Sequence, residues 1–355
     1  MTEYLIRLRP KSSFEIIPSS DTLFGAICWA IRTLYGESGD NGLNNLLERF
    51  VKRESLPFLV SSTFPCFVQY DETEIYYFPK PELPPLSKNK LQEIATKYQD
   101  KWKLEFDKPH YSKSVFFIKA VSEYKRFRKI SWIPHSQFEG ILKERGEKDL
   151  FMEFLDNRQD SPHIESIAVQ KNKLDRFSNS TTGEGQTFYN NEIYFGKGIG
   201  LYFLFKTEEI DWFEPVFKYL SDSGIGSNKR MGKNHFWIDP FITSPFNFNI
   251  ENANGFVTLS RFIPNPAKDE IDFETDALYR IKPIRSKVES REEFMGKDVW
   301  KDLTMTLLEG SIFKAKDRDK ICGGIIEVKE LKEKKIYQYG LCYPVWGKLD
   351  FGDER

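Results

Sequence analysis

The chain opens on a two-residue alternation: Tyr4, Ile6 and Leu8 stand against Leu5, Arg7 and Arg9, the period of a strand. After Ser20-Asp21-Thr22, residue types suited to a helix N-terminus, the period lengthens. Leu23, Ile27, Ala30 and Leu34, flanked by Phe24 and Ile31, recur every three or four positions, and Gly36 offers a left-handed stop. Leu43, Leu46, Leu47, Phe50 and Val51 predict a second helix. Ile75 to Phe78 predicts a strand that Pro79, Pro81, Pro84 and Pro85 prevent from continuing. Residues 88–103 predict a helix through Leu91, Ile94, Tyr98 and Trp102, Val115 to Ala120 a strand, and Phe138 to Leu155 one or two short helices. Strands are expected at Ile164 to Gln170 and Glu192 to Lys206, a helix around Trp212 to Leu220, and a strand at His235 to Ile238.

After Pro245 the texture changes. Residues 244–255 are rich in Asn, Phe and Gly and read as a connector. Beyond it come expected strands at 256–263, 277–288, 303–308, 311–315, 321–328 and 335–342, with one helix near 290–301. The first part mixes helices and strands and the second is strand-rich. No fixed-period repeat suggests a solenoid. An α+β protein of two small sheet domains follows, residues 1–245 and 246–355.

The 355 residues suffice for two domains, and 40% hydrophobic with 30% charged residues fits a packed core. A net charge of −1, from 52 basic and 53 acidic residues, argues against indiscriminate coating of nucleic acid but leaves room for local basic patches. Aromatics reach 15% with 31 Phe, most of them core-builders. Cys28, Cys66, Cys322 and Cys342 show no paired spacing for a zinc site or a disulfide framework, and Cys28 in its apolar helix reads as a small buried thiol. No cofactor or metal is implied. The N-terminus lacks a signal-peptide core and no stretch reaches membrane-spanning length, which predicts a cytoplasmic protein.

Two segments carry candidate chemistry. Asp222 to Asn234 lies between a helix and a strand and holds Gly224, Gly226 and Gly232, which permit positive φ and expose amides. Around them stand Ser227, Asn228, Lys229, Arg230 and Lys233, with no acid in between. Amide donors plus cations suit a phosphodiester backbone. No Gly-Lys-Ser/Thr opens a helix here, and the loop follows a helix, so it is neither a P-loop nor a dinucleotide-binding turn. The second segment, Lys171 to Gln186, reads as the tip of a hairpin arm that offers Lys171, Lys173, Arg176, Ser178 and Thr181, with Phe177 or Phe188 to wedge. An ordinary solvated turn remains the plain alternative for each. Catalysis finds little support: His110, His135, His163 and His235 are scattered and match no ligand spacing.

Several short motifs then occur in order: Ser20-Asp21-Thr22-Leu23-Phe24-Gly25-Ala26, Tyr77-Phe78-Pro79-Lys80-Pro81, the Gly224–Gly232 loop, Glu309-Gly310-Ser311-Ile312-Phe313 and Tyr339-Gly340-Leu341. Together they resemble the Csm-type subunit, fourth of its series in the RAMP superfamily, that caps the crRNA 5′ handle in type III-A CRISPR interference complexes. The resemblance implies two ferredoxin-like (RRM-like) domains in tandem, the second degenerate, with a β-hairpin thumb at about 171–195 projecting from the first. It implies a non-catalytic ribonucleoprotein subunit in antiviral defence, bridging the large polymerase/cyclase-like subunit and the first backbone subunit. Arg176, Ser178 and Thr181 fall in the superfamily's pattern of Arg followed by Ser/Thr and Gly, and no catalytic residue is transferred. The rival reading is a repeat-processing endoribonuclease of the same superfamily, whose Gly-rich loop commonly lies nearer the C-terminus; a third is a pure protein–protein adaptor.

Overall fold

The computed structural model describes residues 1–53, 55–68, 74–104, 113–157, 161–173, 181, 187–248, 250–265, 269, 271, 273, 277–289, 294, 297–315, 317–318 and 321–352. The first half runs β1 (Thr2–Pro10), α1 (Ser20–Tyr35), α2 (Leu43–Lys52), β2 (Leu59–Val60), β3 (Phe64–Val68) and β4 (Glu74–Pro79). A helical stretch follows: α3 (Lys88–Lys97), α4 (Gln99–Lys103), α5 (Lys113–Arg128), the short β5 (Trp132–Pro134), α6 (His135–Leu142) and α7 (Glu147–Asp156). Then come β6 (Ile164–Asn172), β7 (Thr187–Phe195), β8 (Ile199–Thr207), α8 (Ile210–Ser223), β9 (Phe236–Ile238) and β10 (Ile242–Thr243). The second half contributes β11 (Gly255–Thr258), β12 (Ala277–Leu278), β13 (Ile281–Ile284), β14 (Thr304–Leu307), β15 (Ile312–Lys314), β16 (Ile325–Leu331), β17 (Lys334–Tyr339) and β18 (Pro344–Gly347).

β1 keeps its alternation, and α1 starts and stops where its pattern predicts, with Ser19 as N-cap and Gly36 at φ +84 donating its amide to Arg32. Three expectations fail for physical reasons, and a fourth falls largely outside the described residues. Residues 88–103 break into α3 and α4 around Tyr98. Val115 to Ala120 is not a strand but part of α5, because buried Phe116, Ala120 and Phe127 recur at helical intervals across a run with no breaker. Glu192 to Lys206 is two strands, parted at Gly198, whose φ is +79 and whose Cβ would lie 2.9 Å from the Phe67 ring. Of the helix expected near 290–301, residues 290–293, 295 and 296 lie outside the described residues, and residues 297–301 are irregular.

An eight-stranded antiparallel sheet forms the centre, in the order β10-β1-β8-β3-β4-β5, with β9 also on β1 and β2 also on β8. β8 is buried throughout Leu201 to Phe205. Phe205 meets Phe213 and Phe217 of α8 at 4.9 and 5.1 Å between ring centroids. On the opposite face Tyr202 packs edge-on against Tyr76 and hydrogen-bonds the Tyr77 carbonyl at 2.8 Å. The helical stretch is fastened by a buried pair: Lys80 lies 3.2 Å from Glu147, which also accepts from Tyr124 (3.1 Å) and Arg128 (3.3 Å).

The segment read as a connector is part of the core. Phe246 and Phe248 pack on Phe78, and the His135 ring stacks on Phe246 at 5.0 Å. The second half builds a four-stranded sheet, β12-β15-β11-β18, and two ribbons, β13–β14 and β16–β17. Phe256, Phe262, Leu307, Phe313, Cys322 and Cys342 form a small core of its own. Val257, Leu259, Ile312, Tyr339, Leu341 and Tyr343 join the main core of the first half. The four cysteines are free thiols, and among the described residues no helix is long and apolar enough to cross a membrane.

Candidate nucleic-acid interface

The Gly-rich loop leaves α8 through Gly224, whose amide donates to Leu220 at 2.9 Å. At φ +77 a Cβ there would sit 3.0 Å from the Asn234 carbonyl and 3.2 Å from the Lys229 Cβ, so the turn requires glycine. Gly226, Asn228 and Gly232 also have positive φ, on either side of a single 3-10 turn at Lys229–Met231. Buried Asn234 pins the loop. Its Nδ2 donates to the Ser227 carbonyl (2.6 Å), its Oδ1 accepts the Glu15 amide (2.8 Å), and its own amide donates to Ser13 (3.1 Å). The Glu15 carboxylate accepts from the Ser227 hydroxyl and from Asn228 Nδ2 (3.1 Å). His235 Nε2 donates to the Lys229 carbonyl at 2.9 Å. Among the described residues, the amides of 226 to 230 meet no acceptor.

The loop's cations differ in their freedom. Lys229 pairs with Glu289 at 2.8 Å, and Lys233 reaches Ser13 Oγ (2.7 Å) and the Glu192 carboxylate. Arg230 is exposed and has no ion-pair partner among the described residues. The absence of an acid within the loop is thus made good from a strand and from the second half of the chain.

β6 and β7 form a hairpin of nine cross-strand pairs, from Ile164↔Phe195 to Asn172↔Thr187. At its base Phe14 and Ile193 exchange backbone hydrogen bonds (2.9 and 2.6 Å). Beside them lies Glu192, 3% exposed, which accepts from Ser13 (2.8 Å) and Tyr194 (2.8 Å) and pairs with Lys171 (2.9 Å) and Lys233. The Lys233 hydrogen bond, together with those from Lys171, Ser13 and Tyr194, holds this carboxyl well below the usual carboxylate range against the opposing effect of burial. One carboxylate therefore joins the turn after β1, the hairpin and the Gly-rich loop. Farther out, Lys173, Thr181, Phe188 and Tyr189 are exposed, while Arg176, Phe177 and Ser178 lie outside the described residues.

The sequence reading thus finds two of the three converging segments. It misses Ser13, Glu15, Glu192 and Glu289, because each acts through a partner far away in the chain and no local spacing marks it, and it includes Asn234 only as the end of the loop segment. The histidines do not gather. His135 is enclosed by Phe78, Phe246 and Phe248, and burial lowers its pKa; His163 lies beside Glu165 on the hairpin, and His110 is outside the described residues. Among the described residues no cluster of His, Cys, Asp or Glu is placed to hold a metal ion.

No family model matches the sequence. The chain is 26% identical over 358 residues to the CRISPR system Cms protein Csm4 of Thermococcus onnurineus (strain NA1), covering 98% of both chains. Its fold is similar to a chain in the crystal structure of the Csm1-Csm4 cassette in complex with cA4, at a TM-score of 0.57 and 22% identity over 99% of this chain and 100% of that one. It is also similar to a chain of the Csm3-Csm4 subcomplex in the type III-A CRISPR-Cas interference complex, at a TM-score of 0.51 and 18% identity, again over 99% and 100%. These relatives are Csm-type CRISPR proteins, and with the solved chains this one shares a mixed α/β fold with antiparallel sheets. The chain resembles Csm4 along its whole length, as its motifs had led us to expect.

Proposed function

We propose that this chain is the Csm4-type subunit of a type III-A CRISPR effector, holding the crRNA 5′ handle without cleaving it and bridging the large polymerase/cyclase-like subunit to the backbone. The observation that carries the proposal is the convergence on Glu192, which sets the Gly-rich loop and the hairpin side by side and leaves Arg230, Lys173 and the amides of 226 to 230 available. A rigid base with free cations and amide donors suits the backbone of a single-stranded RNA. Strand order supports a ferredoxin-like first domain: β9/β10, β1, β8 and β2/β3 lie in the spatial order fourth, first, third, second, with α1 and α8 as the crossovers. The β6–β7 hairpin fits a thumb. The four-stranded sheet of the second half, with no α-helix among its described residues, fits a degenerate copy. Bridging is supported by the relatives, crystallised respectively with Csm1 and with Csm3, and near-neutral charge suits a surface shared with proteins.

The test uses Arg230→Ala with Lys173→Ala, since neither side chain braces the fold. Handle-RNA titrations should show weaker binding and a salt slope reduced by about two, roughly one per lost phosphate contact. Unchanged affinity and slope would remove this surface from the account. Site-specific, metal-independent cleavage of repeat RNA by the purified chain would replace the proposal with the endoribonuclease reading.

A further inference from the structure

Trp237 is an unexplained expense in the fold. β9 lies at the edge of the central sheet, and its neighbour Phe236 is fully buried, yet the Trp237 side chain is 52% exposed. In the β1–β9 register Trp237 stands opposite Arg9, so the two share one face. Immediately before this strand, His235 caps the Lys229 carbonyl of the Gly-rich loop. Lys11 Nζ lies 4.9 Å from the indole ring, and Met231 of the loop is 55% exposed. The exposed Arg9 and the half-buried Arg7 are both oriented by Asp239, at 2.6 and 3.4 Å, and Arg7 also meets Glu74. Among the described residues, Lys11, Arg9 and Arg7 thus outnumber the acids that face them, Asp239 and Glu74. A cation–π contact worth about 0.5–1 kcal/mol does not account for leaving so large an apolar ring in water.

We infer that Trp237 is a stacking platform for a nucleobase of the single-stranded RNA whose backbone meets the Gly224–Gly232 loop. The inference rests on the RNA-binding reading above and adds to it a base contact on the sheet. Its occupant follows from continuity and charge. The indole lies on the strand that leaves the loop whose amides and Arg230 are available to phosphate, and among the described residues the cations around it outnumber Asp239 and Glu74. A protein-docking patch would depend on apolar neighbours and be depleted in lysine, whereas aromatic rings beside cations stack bases without regard to sequence.

The test is an anisotropy titration of the full-length chain with a labelled single-stranded RNA of mixed sequence, repeated with a fully abasic oligomer of the same length. W237A should weaken binding of the base-bearing RNA by about five- to a hundredfold with an unchanged salt slope. Binding of the abasic oligomer should be equal for W237A and the native chain, and W237F should keep most of the affinity. R230A should instead reduce the slope by about one on both RNAs. If R230A weakens binding and W237A does not, the inference falls alone; if neither does, the RNA-binding reading falls as well. An equal loss on abasic RNA, or lost capture of Csm1- or Csm3-type partners at unchanged RNA affinity, also overturns it. Photocrosslinking of 5-iodouridine RNA to the unaltered chain provides a readout independent of any variant's folding: a Trp237 adduct is expected, and adducts that lie only elsewhere sink the inference.

Discussion

Glu192 shows how much of the candidate interface depends on one side chain. Its carboxylate is buried yet meets two ammonium groups and two hydroxyls, so desolvation is offset by charge-assisted hydrogen bonds. Glu192→Gln should cost about 1.5–3 kcal/mol, the range for hydrogen bonds to a charged group, measurable by denaturant unfolding at pH 7. Because the folded carboxyl titrates below its ordinary value, the unfolded chain takes up the proton first as pH falls. The native chain's advantage over Glu192→Gln should therefore be full above about pH 5, begin to shrink near the ordinary carboxylate value of about 4.3, and disappear only below the folded pKa. An advantage that is flat across this range would show that the carboxylate contributes only shape. The glycines beside it were legible in the sequence because positive φ is a local demand. The pairing of Lys233 with Glu192 was not, since the two residues are 41 positions apart.

Elements were legible where one period persisted. α1 and β1 fall where their patterns place them, whereas the six residues from Val115 to Ala120 were too few to tell a strand from one flank of α5. The motifs that carry the family resemblance have a structural meaning that the sequence did not disclose: several of them build the seam between the two halves. Asp21, on α1, pairs with Arg261 (3.0 Å) and accepts from Gln338 Nε2 (2.9 Å), whose Oε1 accepts from Lys301 (3.1 Å). Burial lowers the Lys301 pKa, and Asp21 opposes that shift. Ser20 Oγ accepts the Arg261 amide at 2.9 Å, and Gly310, at φ +85, lies where a Cβ would be 2.7 Å from the Lys80 carbonyl. The Tyr339 hydroxyl accepts the Val60 amide at 3.1 Å. Asp21→Ala should cost about 3–5 kcal/mol, because it removes the acceptor that Arg261 and Gln338 share at a buried seam and leaves Arg261 only the more distant Glu309, at 3.8 Å. A thermal midpoint within about 2 °C of the native chain's would contradict that placement, since even 1 kcal/mol shifts a protein of this size by roughly that much.

At the scale of the whole molecule, the change of texture after Pro245 marks a real shift from mixed to strand-rich architecture. It does not mark a gap in the packing. Phe246 and Phe248 close over Phe78, and Val257, Leu259, Tyr339 and Tyr343 enter the main core. Hydrophobic pattern along a chain shows which side chains are buried but not which half buries them. A fragment of residues 1–245 should therefore lose cooperative unfolding and expose apolar surface to a hydrophobic dye, while the full chain unfolds in one transition. A fragment with a sharp transition of its own would show that the seam is only a contact between two finished bodies.

The ribbon of β6 and β7 leads to a different consequence. It meets the body through the Phe14–Ile193 exchange and the Glu192 cluster, both at its base, and its outer pairs, from Gln170 to Asn172 with Thr187 to Tyr189, are mostly in solvent. Lys171 apart, which reaches back to Glu192, substitutions out there scarcely touch folding energy, since exposed positions away from such anchors usually shift it by no more than about 0.5 kcal/mol. The arm is thus a region in which selection can act on recognition without reopening the question of stability, and lineages that share this body are free to diverge most quickly where they reach farthest from it.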